Sequence, residues 1–440
     1  MQTVSYKNIN RLALPAIASG IVESVLSLTD MLVVGRVTLD TVESVAAVGL
    51  VGTILSSFVW VFAQSQNALS TIISQYLGAG KLKRTFSLIP QALALNFMIG
   101  LVICFIGWRY VHLILGWFNA EDDLLNYAAS YWRIRILGFP LTLLSFILFG
   151  AFRGVQNTYW AFICSLTGAI TNAILTIILV HGWGDKISAM HIDGAGWASL
   201  TAQSVILIMA VYFYIFKSPL KISWYWRPHP ELKRFLHLSF DFILRTASLN
   251  LAMYIANSLA TSLGPRFIAS HVLIMNLWMF FAFFLDGYAH AGNAMSGKML
   301  GERNYAGIME LSRKVSKASV LLAVGIIVLC GIFYPWIPML FTSEQTLIDT
   351  FYQFFWLAIL IQPINALAFA YDGIYKGLGE AKVLRNNIAI ATFLGFIPAA
   401  YLLFYLGAGM YAIWAGFYIW MSIRSFPLKR RLEKKYGMKG

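Results

Sequence analysis

Runs of predominantly apolar residues follow one another nearly end to end along this chain of 440 residues. Most are long enough to cross a bilayer as helix, which takes about 20 residues. They fall near 10–35, 45–76, 86–110, 126–151, 159–181, 193–216, 237–262, 267–296, 315–337, 348–372, 385–405 and 409–426. Inside hydrocarbon every backbone N–H and C=O must find its partner within the protein, so a crossing is a helix or part of a closed barrel. The runs are continuous rather than alternating at period two, which excludes the barrel. The chain therefore reads as an all-α polytopic membrane protein with twelve transmembrane helices. Several runs exceed the bilayer thickness and imply tilt or extension into water.

Charge supports this reading by its placement. Only 12% of residues are charged, against about 25% in a soluble domain. The net charge of +14 would suit a nucleic-acid binder, but the bases gather in short segments between the apolar runs, where no soluble domain fits. Most of the 33 Lys and Arg residues lie in 7–11, 81–84, at Arg153, and in 217–234, 298–317, 376–385 and 424–439. The alternate loops hold only Arg36, Lys186 and Arg266 beside a cluster of acids that includes Asp40, Glu43, Glu121, Asp122, Asp123, Asp185 and Glu344. The positive-inside rule then puts both termini in the cytoplasm and the protein in a cell (inner) membrane. Lys7 and Arg11 imitate a signal peptide, but the apolar run continues past any cleavage site. Cys104, Cys164 and Cys330 sit inside apolar runs and read as small hydrophobes.

The chain is an internal duplication. Ala46 and Ala269, Gly78 and Gly301, Pro140 and Pro363, and Gly154 and Gly377 are all 223 residues apart. Six crossings per copy is an even number, so the copies enter the membrane in the same sense, with a cavity expected between them. Four segments are expected: an N-lobe over 1–216 (spans 1–6), a basic cytoplasmic bridge over 217–236, a C-lobe over 237–427 (spans 7–12) and a basic cytoplasmic tail over 428–440.

Span 1, LALPAIASGIVESVLSLTDMLVVGR, carries Glu23 and Asp30. A spacing of seven puts both on one helix face. An Asp in mid-membrane costs about 2.5–3.5 kcal/mol on insertion scales and marks an ion or proton path. Desolvation raises a carboxylate pKa, so such a group can hold a proton when dry and release it when wet. The bland alternative is a helix-end acid paired with Arg36, six residues on, at an awkward angle. In the second copy the same positions are Thr246 and Met253, so the job belongs to the first half alone. Asn172 in span 5 is the first candidate partner, followed by Gln64, Gln66 and Asn67 in span 2 and Thr201 and Gln203 in span 6. For each of these amides and hydroxyls taken singly, helix packing is the commoner reason to be there.

In the second half Asp241 and Arg245 are spaced for a local i, i+4 ion pair. Asp372 and Lys376 have the same spacing and read as a structural pair. Asp286 and His290, one turn apart, could shuttle a proton or order a helix break. The seven histidines show no metal-ligand spacing, no P-loop or nucleophile elbow is present, and neither a cofactor nor an enzymatic activity is expected.

The first span pattern P-x7-E-x6-D-x4-G (Pro15, Glu23, Asp30, Gly35), the turn RG-x-x-x-T after span 4 (Arg153, Gly154, Thr158), and the stretches FLDGYAHAGNAMSGKMLG and DFILRTASLNLA resemble the multidrug and toxic compound extrusion (MATE) family, and its DinF branch in particular. The resemblance implies a V-shaped pair of six-helix bundles that exports amphipathic or cationic organic compounds by cation antiport; a monomer is expected. It places coupling on Asp30 with Asn172 nearby. Some relatives have a second acid where this chain has Thr176, which favours H+ over Na+ as the coupling ion. A flippase for lipid-linked precursors, from the wider superfamily, is the alternative; it would need a basic cavity, for which Arg133 and Arg135 are candidates.

Overall fold

The computed structural model describes the backbone of residues 4–34, 41–118, 120–183, 188–223 and 227–437, and their side chains except at 23–32, 34, 41 and 42. The architecture is all-α. The helices are α1 (Tyr6–Val34), α2 (Thr41–Phe62), α3 (Gln64–Gly78), α4 (Leu88–Arg109), α5 (Val111–Gly116), α6 (Asp122–Leu137), α7 (Phe139–Gly154), α8 (Tyr159–His181) and α9 (His191–Tyr212) in the first half. The second half holds α10 (Leu232–Ser262), α11 (Pro265–Gly301), α12 (Tyr305–Ile332), α13 (Gln345–Leu360), α14 (Gln362–Leu378), α15 (Ala381–Ile390), α16 (Ile397–Tyr405) and α17 (Met410–Tyr436). Short breaks divide four crossings: α2–α3, α6–α7, α13–α14 and α15–α16.

By length and hydropathy, seven continuous helical stretches and two bent pairs among the described residues qualify as crossings. Of the other three, α10 and α17 bury the charges Arg245 and Arg424, and α1 has only part of its side chains described.

The duplication is written in the helix ends. Asp122 and Leu137 of α6 become Gln345 and Leu360 of α13, and Arg109 at the end of α4 becomes Ile332 at the end of α12, each displaced by 223. The bends recur as well: α6–α7 turns by 41° and α13–α14 by 45°. Pro140 and Pro363 cause them, each in the first turn of the second helix. A proline there lacks an N–H, and its ring collides with the carbonyl four residues back. In the eleventh crossing Pro398 follows a π-helical turn, Ala391–Phe396, which widens the backbone to admit the ring.

Close helix contacts also repeat within each compact unit. A Cβ on Gly150 would strike the backbone of Gln66, and one on Gly373 would strike the backbone of Ala289. Residues 66 and 289 are themselves 223 apart. These glycines let α7 approach α3, and α14 approach α11, backbone to backbone, as small residues do where helices pack in lipid.

The chain divides into two compact units, residues 18–73 with 81–236, and residues 1–17 with 74–80 and 237–440. Thus the described residues 4–17, with 74–80, which the sequence assigns to the N-lobe, pack with the second half. Direct contacts explain both. The first turns of α1 bury Ile9, Leu12 and Ala13, and Asn10 Oδ1 accepts from Tyr288 Oη at 3.2 Å. Val4 O accepts from Lys314 Nζ at 2.5 Å. The end of α3 crosses the end of α11 reciprocally: Gly78 abuts Lys298 O, and Gly301 abuts Gln75 O. The described part of the 217–236 bridge belongs to the first unit, where Gln91 at the start of α4 donates to Arg227 O at 2.9 Å and accepts from His229 N at 2.8 Å.

Candidate functional site

The side chains of Glu23 and Asp30 lie outside the described residues, as do Arg36 and Asp40 entirely. The helix that carries the two acids is described. Within the first unit Ser19 Oγ of α1 donates to Ser165 Oγ of α8 at 3.0 Å, which ties the two helices together one turn before Glu23.

On α8 the buried positions are Cys164, Gly168, Asn172, Thr176 and Val180. The step of four traces one helix ridge. Its lower part is bare so that α9 can close in: a Cβ on Gly168 would collide with Ile206. Asn172 and Thr176 put an amide and a hydroxyl on this ridge, both fully shielded from solvent. A polar group in such surroundings costs several kcal/mol unless it is hydrogen-bonded, so two of them in succession on a crossing helix are there for their chemistry or their pairing.

The other first-half candidates are engaged elsewhere in the same unit. Asn67, buried on α3, accepts from Arg153 Nη1 at 2.9 Å and donates to Gln64 Oε1 at 3.1 Å. Arg153 Nη2 reaches Gln66 Oε1 at 3.5 Å. The result is an amide cradle around a buried guanidinium that joins α3 to α7. The sequence marks Arg153 only as part of a turn motif; a base closing an apolar run opposite three amides was the available signal. Thr201 donates to Trp197 O in its own helix. Gln203 presses against Gly138 at the α6–α7 break. Arg133 stands exposed over Trp108 and Arg135 packs on Tyr131.

In the second unit the ion pairs differ from the local pattern. Arg245 does not pair with Asp241. It reaches across to α14, with Nη2 2.6 Å and Nε 2.8 Å from Asp372 Oδ1. Asp241 instead takes Arg385 of α15 at 2.6 Å. An i, i+4 pair gains only about 0.2–0.5 kcal/mol, so a better-oriented partner on a neighbouring helix wins. The Asp372–Lys376 pair does form, at 2.8 Å. Arg424 of α17 completes the group, lying over Trp420 at 4.7 Å and donating to Met421 Sδ at 3.1 Å. All four charges are buried, so one carboxylate stands among three cations.

Asp286 and His290 sit on one face of α11 with Oδ2 and Nε2 3.1 Å apart, the carboxylate side chain 37% exposed. The helix is unbroken from Pro265 to Gly301, so the pair orders no break. In the first half the same position, Ala63, does interrupt α2 and α3.

The sequence model of the MatE family matches residues 15–178 and 242–402, one stretch in each half. The chain is 26% identical to DNA damage-inducible protein F of Escherichia coli over 97% of this chain and 92% of that protein. It is 22% identical to multidrug resistance protein NorM of Vibrio cholerae over 97% and 94%. The fold superimposes on that of MATE in complex with MaL6 with a TM-score of 0.87, at 20% identity over 97% of this chain and 96% of the other. It superimposes on a MOP-superfamily transporter from Pyrococcus furiosus with a TM-score of 0.89, at 18% identity over 99% of both chains. With one matched stretch in each half and alignments spanning nearly the whole chain, the protein belongs to the MatE family, the multidrug and toxic compound extrusion transporters.

Proposed function

We propose that the chain is a proton-coupled antiporter of a cell (inner) membrane, with both termini cytoplasmic, that exports amphipathic or cationic organic compounds by alternating access. One observation carries the reading: the buried Asn172–Thr176 step on α8 belongs to the helix tied to α1 at Ser19–Ser165. The first and fifth crossings run in the same sense. Counting 1.5 Å per residue from that tie, Asp30 and Thr176 both lie about 16.5 Å along, with Asn172 between the heights of Glu23 and Asp30.

Asp30 is the coupling group, Glu23 its auxiliary and Asn172 a polar neighbour in the same unit. Thr176 stands where a further carboxylate would complete a cage for a metal cation. An alcohol brings no charge to such a cage, and this favours H+ over Na+. When the site is wet, Asp30 ionises and the protein favours the cationic compound. When an external proton arrives, the neutral acid is stable in a dry bundle and the compound leaves. A single chain holds both copies of the repeat, so a monomer is the working unit.

A second reading, a flippase for lipid-linked precursors, draws on the excess of buried cation around Asp372. The two separate in a host lacking its own efflux pumps. An antiporter raises the minimum inhibitory concentration of cationic dyes, and Asp30→Asn abolishes that gain at equal expression. Undiminished resistance in the variant overturns the assignment of Asp30; no resistance from the wild type against any cationic dye favours the flippase.

A further inference from the structure

We propose that the groove between α15 and α17 binds the phosphodiester headgroup of an anionic membrane lipid. The groove encloses about 660 Å³ in the second unit, and its rim carries Lys382 from α15 and Arg430, Arg431 and Lys434 from α17. Among the described residues no carboxylate lines it. Glu380, an acid beside it, holds Lys435 at 2.6 Å and Arg431 at 3.9 Å. Lys382, Arg430 and Lys434 have no ion-pair partner among the described residues. Arg430 and Lys434 stand one turn apart on a single helix, where like charges repel. An anion seated between them and Lys382 removes that repulsion.

The floor of the groove favours a lipid over a free anion. Ile390 and Leu428 line it, and past Ile390 the surface continues into Phe393, Leu394 and Phe426, which are 51%, 73% and 45% exposed. A phosphate at the rim therefore places acyl chains along apolar side chains that already face outward from the eleventh and twelfth crossings. The groove lies where α17 leaves the apolar stretch and turns basic, the composition of a membrane boundary, and basic pockets between crossings on such a boundary suit anionic lipids. The walls are preformed. Tyr375 Oη donates to Leu428 O at 3.0 Å, and Tyr436 Oη and Lys435 Nζ both reach Glu380 Oε1. A rigid site loses little order on binding. The proposal uses none of the coupling residues and does not depend on their assignment.

The test uses the full chain purified in detergent, with phosphatidylglycerol, phosphatidylcholine and inorganic phosphate as probes. Native mass spectrometry is expected to show retained phosphatidylglycerol, and that lipid alone is expected to raise the unfolding temperature. The triple variant K382Q/R430Q/K434Q should weaken its binding at least tenfold. The charge-matched control K81Q/K83Q/R84Q should not. Equal retention of phosphatidylglycerol by the triple variant overturns the proposal. So does equal retention of phosphatidylcholine, or stabilisation by inorganic phosphate matching that by the lipid. Should the triple variant fail to fold, photoactivatable phosphatidylglycerol on the wild type should label 382–394 or 426–434, and labelling confined to other segments overturns the site.

Discussion

At the scale of single residues, the best-defined charges are those around Asp372. Its carboxylate holds Arg245 and Lys376 directly, with Arg424 buried in the same group. Removing one partner of a buried pair leaves the rest uncompensated and costs about 3–5 kcal/mol. Asp372→Asn should therefore lower the unfolding temperature of the purified protein by far more than Asp241→Asn. The Asp241–Arg385 pair is part-exposed, and exposed pairs contribute about 0–1 kcal/mol. Equal shifts in the two variants would show that the group around Asp372 is not a buried network. The charged residues themselves were legible in the sequence, and so was the Asp372–Lys376 pair. The partner of Arg245 was not, because helical spacing reports neighbours on one helix while Arg245 points to another. The partners of Arg153 were hidden for the same reason: Gln66 and Asn67 sit on α3, far away in the chain.

At the scale of elements, the duplication makes paired predictions. Gly150 and Gly373 hold equivalent crossings, each against backbone that no side-chain rotation can clear. Gly150→Ala and Gly373→Ala should each destabilise by about 1–3 kcal/mol, the usual cost of overpacking. Gly325→Ala, on a face of α12 with nothing within 4 Å of the added methyl, should cost nothing and gain helix propensity. Urea or thermal unfolding of the three variants side by side checks this. Destabilisation by Gly325→Ala to the same extent would mean that the crossings are not what the glycines serve. The prolines at the two bends could be read from the sequence, since Pro140 and Pro363 share the repeat. The bend angles could not, because they depend on what each helix packs against.

At the scale of the whole molecule, hydropathy and basic-residue placement were enough to give the all-α membrane class and twelve crossings, and the constant offset gave the two copies. The true borders of the compact units were not legible. Residues 4–17 and 74–80 join the second half through Asn10, Gly78 and Gly301, contacts between distant segments that leave no trace in local composition. Gly78→Val should therefore disturb the second half of the chain, although the residue lies in the first. Limited proteolysis or hydrogen exchange should show α11 loosening near Lys298 and Gly301; loosening confined to 18–73 would contradict the placement of 74–80.

The duplication also isolates what is not duplicated, the pair of acids Glu23 and Asp30 in the first crossing. The proposed function stands or falls with Asp30. The most direct test is proton movement counted against a fluorescent cationic substrate in proteoliposomes under an imposed pH gradient, wild type beside Asp30→Asn. The wild type should move protons in fixed ratio and opposite direction to the substrate, while the variant binds substrate without proton movement. A variant that still exchanges protons for substrate at the wild-type ratio would contradict the account.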